Sequence, residues 1–137
     1  MNILTLPLGP LGTNCYLVSD GQSGLCAVID PGGESRRICA DLEKRGLTPD
    51  VILLTHAHAD HVRGLWHLYE KTGACVYVHA GELDARINIG PFRFVPPPKT
   101  QYVCEGSTIC AGSLRFSVLE CPGHTPGSAV CFFIVAV

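Results

Sequence analysis

The apolar run Val51-Ile52-Leu53-Leu54 leads straight into Thr55-His56-Ala57-His58-Ala59-Asp60-His61. The first segment is too apolar to lie anywhere but in a core, so a buried strand carries the polar cluster to one fixed place. Three of the six histidines in the chain fall here, beside an aspartate. His56 and His58 are two residues apart, the interval at which side chains leave a strand on the same side. Asp60 and His61 come from the turn that follows. Neutral imidazole and carboxylate are the usual ligands of zinc, iron or manganese at a hydrolytic or redox site. The segment therefore reads as a metal-binding cluster in preference to a histidine-rich polar loop.

The chain has 137 residues, of which 47% are hydrophobic and 16% charged, a balance that fits one folded domain and argues against disorder. Its net charge is −2 and it has no basic run, which disfavours nucleic acid as a partner. No apolar stretch approaches the roughly 20 residues needed to span a bilayer. Met1-Asn2-Ile3 lacks the basic region of an export signal. The expectation is a cytoplasmic protein without a membrane partner. The eight cysteines are scattered and form no Cys-x-x-Cys pair, which argues against a zinc ribbon or a dithiol redox motif. In a reducing compartment they are expected as free thiols, most of them acting as small hydrophobes.

Alternation of Leu4, Leu6 and Leu8 predicts a first strand, placed at an edge by Pro7. Asn14 to Ser19 and Leu25 to Ile29 predict a hairpin around Asp20-Gly21-Gln22-Ser23-Gly24. Ile38 and Leu42 give Ser35 to Arg45 a helical stripe, with Gly46 as its cap. A second helix is predicted from His61 or Val62 to Lys71, with Leu65, Leu68 and Tyr69 inward and Trp66 in the core. Cys75 to Val78 is a further strand. Strands alternating with helices in this order predict an α/β fold with parallel neighbours. Gly81 to Asn88 reads as a short helix and Gly90 to Lys99 as a connector. Glu105-Gly106 and Ala111-Gly112-Ser113 read as hairpin turns, and Val130 to Val137 as a last strand. No charge or turn follows that strand, so the chain is expected to be truncated at its C-terminal end.

A second histidine segment supplies what the first lacks. Pro122-Gly123-His124-Thr125-Pro126-Gly127-Ser128 follows the strand containing Leu114, Phe116 and Val118, and its Pro-Gly pairs fix the backbone around one imidazole. Three protein ligands with an open position make the pattern of a catalytic metal site. Asp30 either supports a ligand imidazole by a hydrogen bond or caps a turn before Pro31-Gly32. Asn14 and Thr55 are assigned to packing, His79 to local hydrogen bonding and His67 to a solvated helix face. Arg63 adjoins the cluster and either meets an anionic substrate or starts a helix.

His56-Ala57-His58-Ala59-Asp60-His61 and Pro122-Gly123-His124-Thr125-Pro126-Gly127-Ser128 together resemble the motifs of the metallo-β-lactamase superfamily. Gly12-Thr13-Asn14-Cys15-Tyr16 and Val28-Ile29-Asp30-Pro31-Gly32 fit the same picture. Within that superfamily the chain is most similar to the glyoxalase II-like hydroxyacylglutathione hydrolases. The resemblance spans essentially the whole chain; it is specific for the superfamily and only weakly so for substrate. It implies an αββα sandwich, present here as its N-terminal portion, in one domain over residues 1–137. It implies that His56, His58 and His124 hold a first metal, and that Asp60 and His61 are ligands of a second, with Asp60 in a catalytic role. The metal implied is zinc, with iron or manganese as alternatives. Hydroxide generated there would attack a small-molecule thioester, giving a carboxylic acid and a thiol. Alternative readings are a persulfide dioxygenase-type oxidoreductase with one iron, a nuclease or lactonase, and an inactive metal-binding fragment. The lack of a basic patch weighs against the nuclease, and Asp60-His61, in place of Asp-Arg or Asp-Cys, against the best-known β-lactamases. The family's bridging aspartate and last histidine have no counterpart before Val137. The chain is therefore expected to bind one metal and to be weakly active or inactive.

Overall fold

A computed structural model describes residues 1–84 and 90–133. The chain runs β1 (Asn2–Leu8), β2 (Thr13–Ser19), β3 (Leu25–Ile29), α1 (Ser35–Arg45), β4 (Thr48–Leu53), α2 (Ala59–Val62), α3 (Leu65–Thr72) and β5 (Cys75–His79). It continues through β6 (Thr100–Val103), β7 (Thr108–Ala111), β8 (Leu114–Glu120) and β9 (Ala129–Phe133). Six strands form one sheet in the order β1-β2-β3-β4-β5-β6, and β7-β8-β9 form a second. Pro7 lies on the edge strand β1, as its missing amide hydrogen requires.

The strands that alternate with helices pair in parallel as expected, from β3 to β6, while β1, β2 and β3 are antiparallel, with β2 and β3 forming the predicted hairpin. Their connections are short hairpin turns, whereas α1 and the α2–α3 pair supply the long crossovers that parallel neighbours need. Strand β4 runs through the middle of the sheet with both faces covered, which explains its unbroken apolar run. Ile52 and Leu54 face one way and pack with Ile38, Leu42, Leu65 and Leu68 of α1 and α3. Val51 and Leu53 face the other way and pack with Ile109, Phe116 and Val118 of the second sheet. The layers are thus helices, six-stranded sheet and three-stranded sheet.

The single helix expected from His61 to Lys71 is two helices. The amide of Gly64 leaves the helical ladder to donate to Pro31 O at 2.8 Å, tying the break to the loop after β3. Trp66 is not a core residue: it is 41% exposed and donates from Nε1 to Val95 O at 2.9 Å. Leu65 and Leu68 hold the buried stripe of α3, and Trp66, one residue further round, is turned off it. Strand β6 was not anticipated, because Thr100-Gln101-Tyr102-Val103 is short and half polar. Glu105-Gly106 does not close a hairpin; the chain passes there from one sheet to the other. Gly112-Ser113 does close one, between β7 and β8.

The predicted helix at Gly81–Asn88 is a 3-10 turn over Ala80–Leu83, and residues 85–89 of that prediction lie outside the described part. So do residues 134–137 of the predicted last strand. At the tip of the β7–β8 hairpin, Ser113 Oγ donates to Asp20 Oδ2 at 2.7 Å and Gly112 N to Asp50 Oδ2 at 2.9 Å. These bonds clasp the two sheets together at one end. All eight cysteines are free thiols. Among the described residues no helix is long and apolar enough to cross a membrane.

Candidate metal centre

The opposite end of the sheets carries the histidines. Strand β4 ends at Leu53, and Leu54 N still pairs with Tyr77 O of β5, so Thr55 emerges at a fixed point on the sheet edge. Asp30, at the end of β3, adopts a left-handed backbone with φ 50° and turns its carboxylate toward Thr55. Its Oδ1 accepts Thr55 N at 2.8 Å, and its Oδ2 accepts Thr55 Oγ1 at 2.6 Å and His61 Nδ1 at 2.9 Å. Asp30 is therefore an imidazole support and not simply a turn cap. Thr55, assigned to packing from the sequence, belongs to the same network.

That network sets the tautomers. The hydroxyl hydrogen of Thr55 goes to Asp30, so at the 3.1 Å contact with His56 Nδ1 the ring must donate and Thr55 Oγ1 accept. His61 likewise donates from Nδ1 to Asp30. Both rings are left with a free lone pair on Nε2. His56 Nε2 is buried and has no hydrogen-bond partner, an arrangement that is costly unless a Lewis acid occupies the lone pair.

His56, His58 and His124 converge. Their ring centroids are 4.6 to 4.8 Å apart and their planes lie at 76° to 90° to one another. One nitrogen of each lies within 4.8 Å of the other two. Zinc–imidazole bonds of about 2.0–2.1 Å at tetrahedral angles place ligand nitrogens about 3.3 Å apart, so a modest contraction closes the site. His58 and His124 are exposed while His56 is buried, which leaves one side of the cluster open to solvent. The donor set, the unpartnered nitrogen and the open face together fit a divalent cation with a free coordination position.

Asp60 stands apart from these three donors, on the side of His61. Its Oδ2 accepts Thr13 Oγ1 at 2.8 Å and lies 3.6 Å from His61 Nε2. The His61 ring is 4.0 Å from that of His56. Asp30, His56 and His61 form a second group of donor atoms within 4.8 Å of one another, but both Asp30 oxygens are already engaged. The turn carrying Asp60 presses on Gly32, where a Cβ would come within 1.8 Å of Asp60 O. Only glycine lets the loop after β3 approach this closely.

Burial pushes the His56 imidazole down to about 4, with His61 acting in the same direction and Asp30 against it. The ring is therefore neutral at physiological pH, as a ligand must be. The hydrogen bond to Asp30 holds His61 above its ordinary value. For Asp60, burial acts upward but is outweighed, chiefly by the Thr13 hydroxyl, and the carboxyl stays below its usual range.

His124 sits in a tight loop closed by Cys121 N donating to Ser128 O at 2.8 Å. Ala129 N donates to Thr55 O at 2.9 Å, which joins this loop to the end of the β4 segment. A third element meets both. The buried carboxylate of Glu82 accepts Ala57 N, Thr125 Oγ1 and Gly127 N. Neither Glu82 nor Thr13 was singled out from the sequence as a site residue. Glu82 lies in a segment without motif or periodicity, and Thr13 only within Gly12-Thr13-Asn14-Cys15-Tyr16. His79 makes the local bonds expected of it, to Glu120 Oε1 at 2.9 Å and from Gly81 N at 3.0 Å. His67 is half-buried with Nδ1 unpartnered, not solvated as expected. Arg63 is exposed, and Cys121 belongs to neither donor group among the described residues.

Residues 8–135 match the model of the Metallo-beta-lactamase superfamily. The chain belongs to that superfamily. It is 39% identical over 132 residues to the probable metallo-hydrolase YqgX of Bacillus subtilis (strain 168), covering 90% of this chain and 61% of that protein. It is 32% identical over 141 residues to hydroxyacylglutathione hydrolase GloC of Haemophilus influenzae, covering 93% of this chain and 64% of that protein. The crystal structure of the BLEG-1 B3 metallo-beta-lactamase superposes with a TM-score of 0.83 at 30% identity, over 96% of this chain and 67% of that one. The chain thus spans under two thirds of both curated relatives. Its sheets and helices are those of the metallo-β-lactamase fold, matching the N-terminal portion of it.

Proposed function

We propose that this superfamily member is a metal-dependent hydrolase of small-molecule thioesters of the hydroxyacylglutathione class. The observation that carries the proposal is the convergence of His56, His58 and His124, from two distant segments, on one solvent-open point. These residues would hold zinc, or iron or manganese in its place. A bound cation of this kind lowers the pKa of its water from 15.7 to about 7 and polarises a carbonyl. Asp30 and Thr55 keep the Nε2 lone pairs of His56 and His61 turned toward the site. Asp60, held by the Thr13 hydroxyl with its carboxyl below the usual range, is assigned the proton of an attacking water. Attack forms a C–O bond and breaks the C–S bond, and the departing thiolate recovers a proton. Asp60 and His61 also offer two donors to a second cation, too few for tight binding on their own. The choice of thioester is supported by the likeness to a hydroxyacylglutathione hydrolase. Nucleic acid and membranes have no part in the proposal.

The test is thiol release from a hydroxyacylglutathione thioester by the zinc-reconstituted chain, followed with a chromogenic thiol reagent. Slow release that is abolished by a chelator is expected. His124→Ala should lose both zinc and activity while remaining folded. A chain that takes up no divalent metal, or whose release survives both chelation and His124→Ala, refutes the proposal.

A further inference from the structure

We propose that Glu82 is the positioning residue of this centre, holding the His56–His58 segment and the His124 segment at the separation that lets three imidazoles meet. The part of this that concerns a cation rests on the metal-site reading above. Glu82 lies on the 3-10 turn after β5, outside both histidine segments, and is 2% exposed. Its Oε2 accepts Ala57 N at 2.6 Å, and Ala57 is the residue between His56 and His58. Its Oε1 accepts Gly127 N at 2.9 Å and Thr125 Oγ1 at 2.5 Å, and Thr125 is the residue after His124. One oxygen thus serves each segment.

Chemistry explains why the bridge is a carboxylate. A buried carboxylate is unfavourable unless its oxygens are satisfied, and here each of them is. Two of the three partners are backbone amides, which can only donate. A glutamine of the same shape would fail, because either orientation of its amide turns an NH2 group against a backbone N–H. The surroundings are shaped to admit the group. A Cβ on Gly127 would lie 2.7 Å from Glu82 Oε1 and 2.8 Å from Glu82 N, and one on Gly81 would lie 2.9 Å from Gly127 N. Among the described residues, Glu82 is the side chain that hydrogen-bonds to both segments. The bond from Ala129 N to Thr55 O joins them at the strand ends, beyond the imidazoles.

The experiment compares the wild-type chain with Glu82→Gln and Thr125→Val. Zinc affinity is measured by competition with a chromophoric chelator, geometry by the visible spectrum of the cobalt(II) form, and folding by thermal denaturation. In the metal-free chain, ring-proton NOEs between His58 and His124 report the separation directly. Glu82→Gln is expected to fold, to weaken zinc binding about 10–100-fold, to change the cobalt spectrum and to lose the ring NOEs. Thr125→Val, which leaves both amide bonds in place, should move every readout the same way by less. The proposal is overturned if Glu82→Gln lowers only the melting temperature and leaves affinity, spectrum and NOEs unchanged. Should Glu82→Gln fail to fold, Thr125→Val decides: unchanged affinity and NOEs overturn the proposal, and a shift in both supports it. A wild-type chain that binds no metal sinks the metal reading alone, since the NOEs still decide the role of Glu82.

Discussion

Replacing Asp30 with asparagine tests whether the site is set by the network behind the imidazoles. Asparagine matches aspartate in shape and tolerates the left-handed backbone at φ 50°. Its oxygen can still accept Thr55 N, which places the NH2 group where Oδ2 now accepts Thr55 Oγ1 and His61 Nδ1. A donor at that point reverses both bonds. Thr55 Oγ1 becomes an acceptor and turns its own hydrogen to His56 Nδ1, while His61 Nδ1 must accept. Both rings then carry their proton on Nε2, the nitrogen that faces the site. Loss of one supporting partner of a metal-binding histidine typically weakens affinity about 10–100-fold, or about 1.4–2.8 kcal/mol. Of the two rings only His56 belongs to the three-histidine group, so a loss toward the lower end, about 10-fold, is expected here. Folding should suffer less, by about 1–2 kcal/mol, since the hydrogen bonds are weakened and not removed. Zinc competition titration gives the affinity, and 15N chemical shifts of His56 and His61 in the metal-free chain give the tautomers. Affinity within about threefold of wild type, with the tautomers unchanged, would refute the reasoning.

Two further outcomes follow from the same geometry. In the metal-free chain, His56 resists protonation down to about 4, against 6.5 when unfolded, so its contribution to stability is complete above pH 6.5 and declines as the pH falls toward 4. His61 runs the other way: its raised value makes its contribution present below pH 6.5 and lost as the pH climbs through that value. Urea midpoints between pH 4 and pH 8, with ring-proton titrations, check both, and a His56 ring that titrates near 6.5 contradicts the burial argument. Gly127→Ala should destabilise the chain by about 1–3 kcal/mol through overpacking against Glu82. Thermal denaturation measures this, and an unchanged melting temperature would show that the carboxylate yields.

The strands that face both layers announced themselves. Val51 to Leu54 is apolar throughout because alternate residues enter different cores, and Leu17 with Val18 and Ala27 with Val28 follow the same logic, whereas Leu6 and Leu8 alternate with exposed residues on an edge strand. The converging histidines were legible because imidazoles two residues apart at a strand end share a side and a Pro-Gly-rich loop is stiff. What the sequence hid depends on contacts distant along the chain. Trp66 looks like core until Leu65 and Leu68 take the buried face of α3. The break at Gly64 comes from Pro31 drawing its amide away. Glu82 and Thr13 carry no local signal, since a lone glutamate or threonine acquires meaning only from the backbone it meets. Strand β6 exists because β5 offers it an edge, not because its own residues prefer one.

The hairpin tip at Gly112-Ser113 is fastened to Asp20 and Asp50 at the end of the sheets far from the histidines. A layer pinned at that end and bridged by Glu82 at the other has little freedom to slide or pivot across its neighbour. The imidazole spacing is then answerable to residues some distance away, much as a gate closes true only if its hinges are sound. A change at Ser113 or Asp50, remote from any reacting atom, would register as a looser grip on the cation.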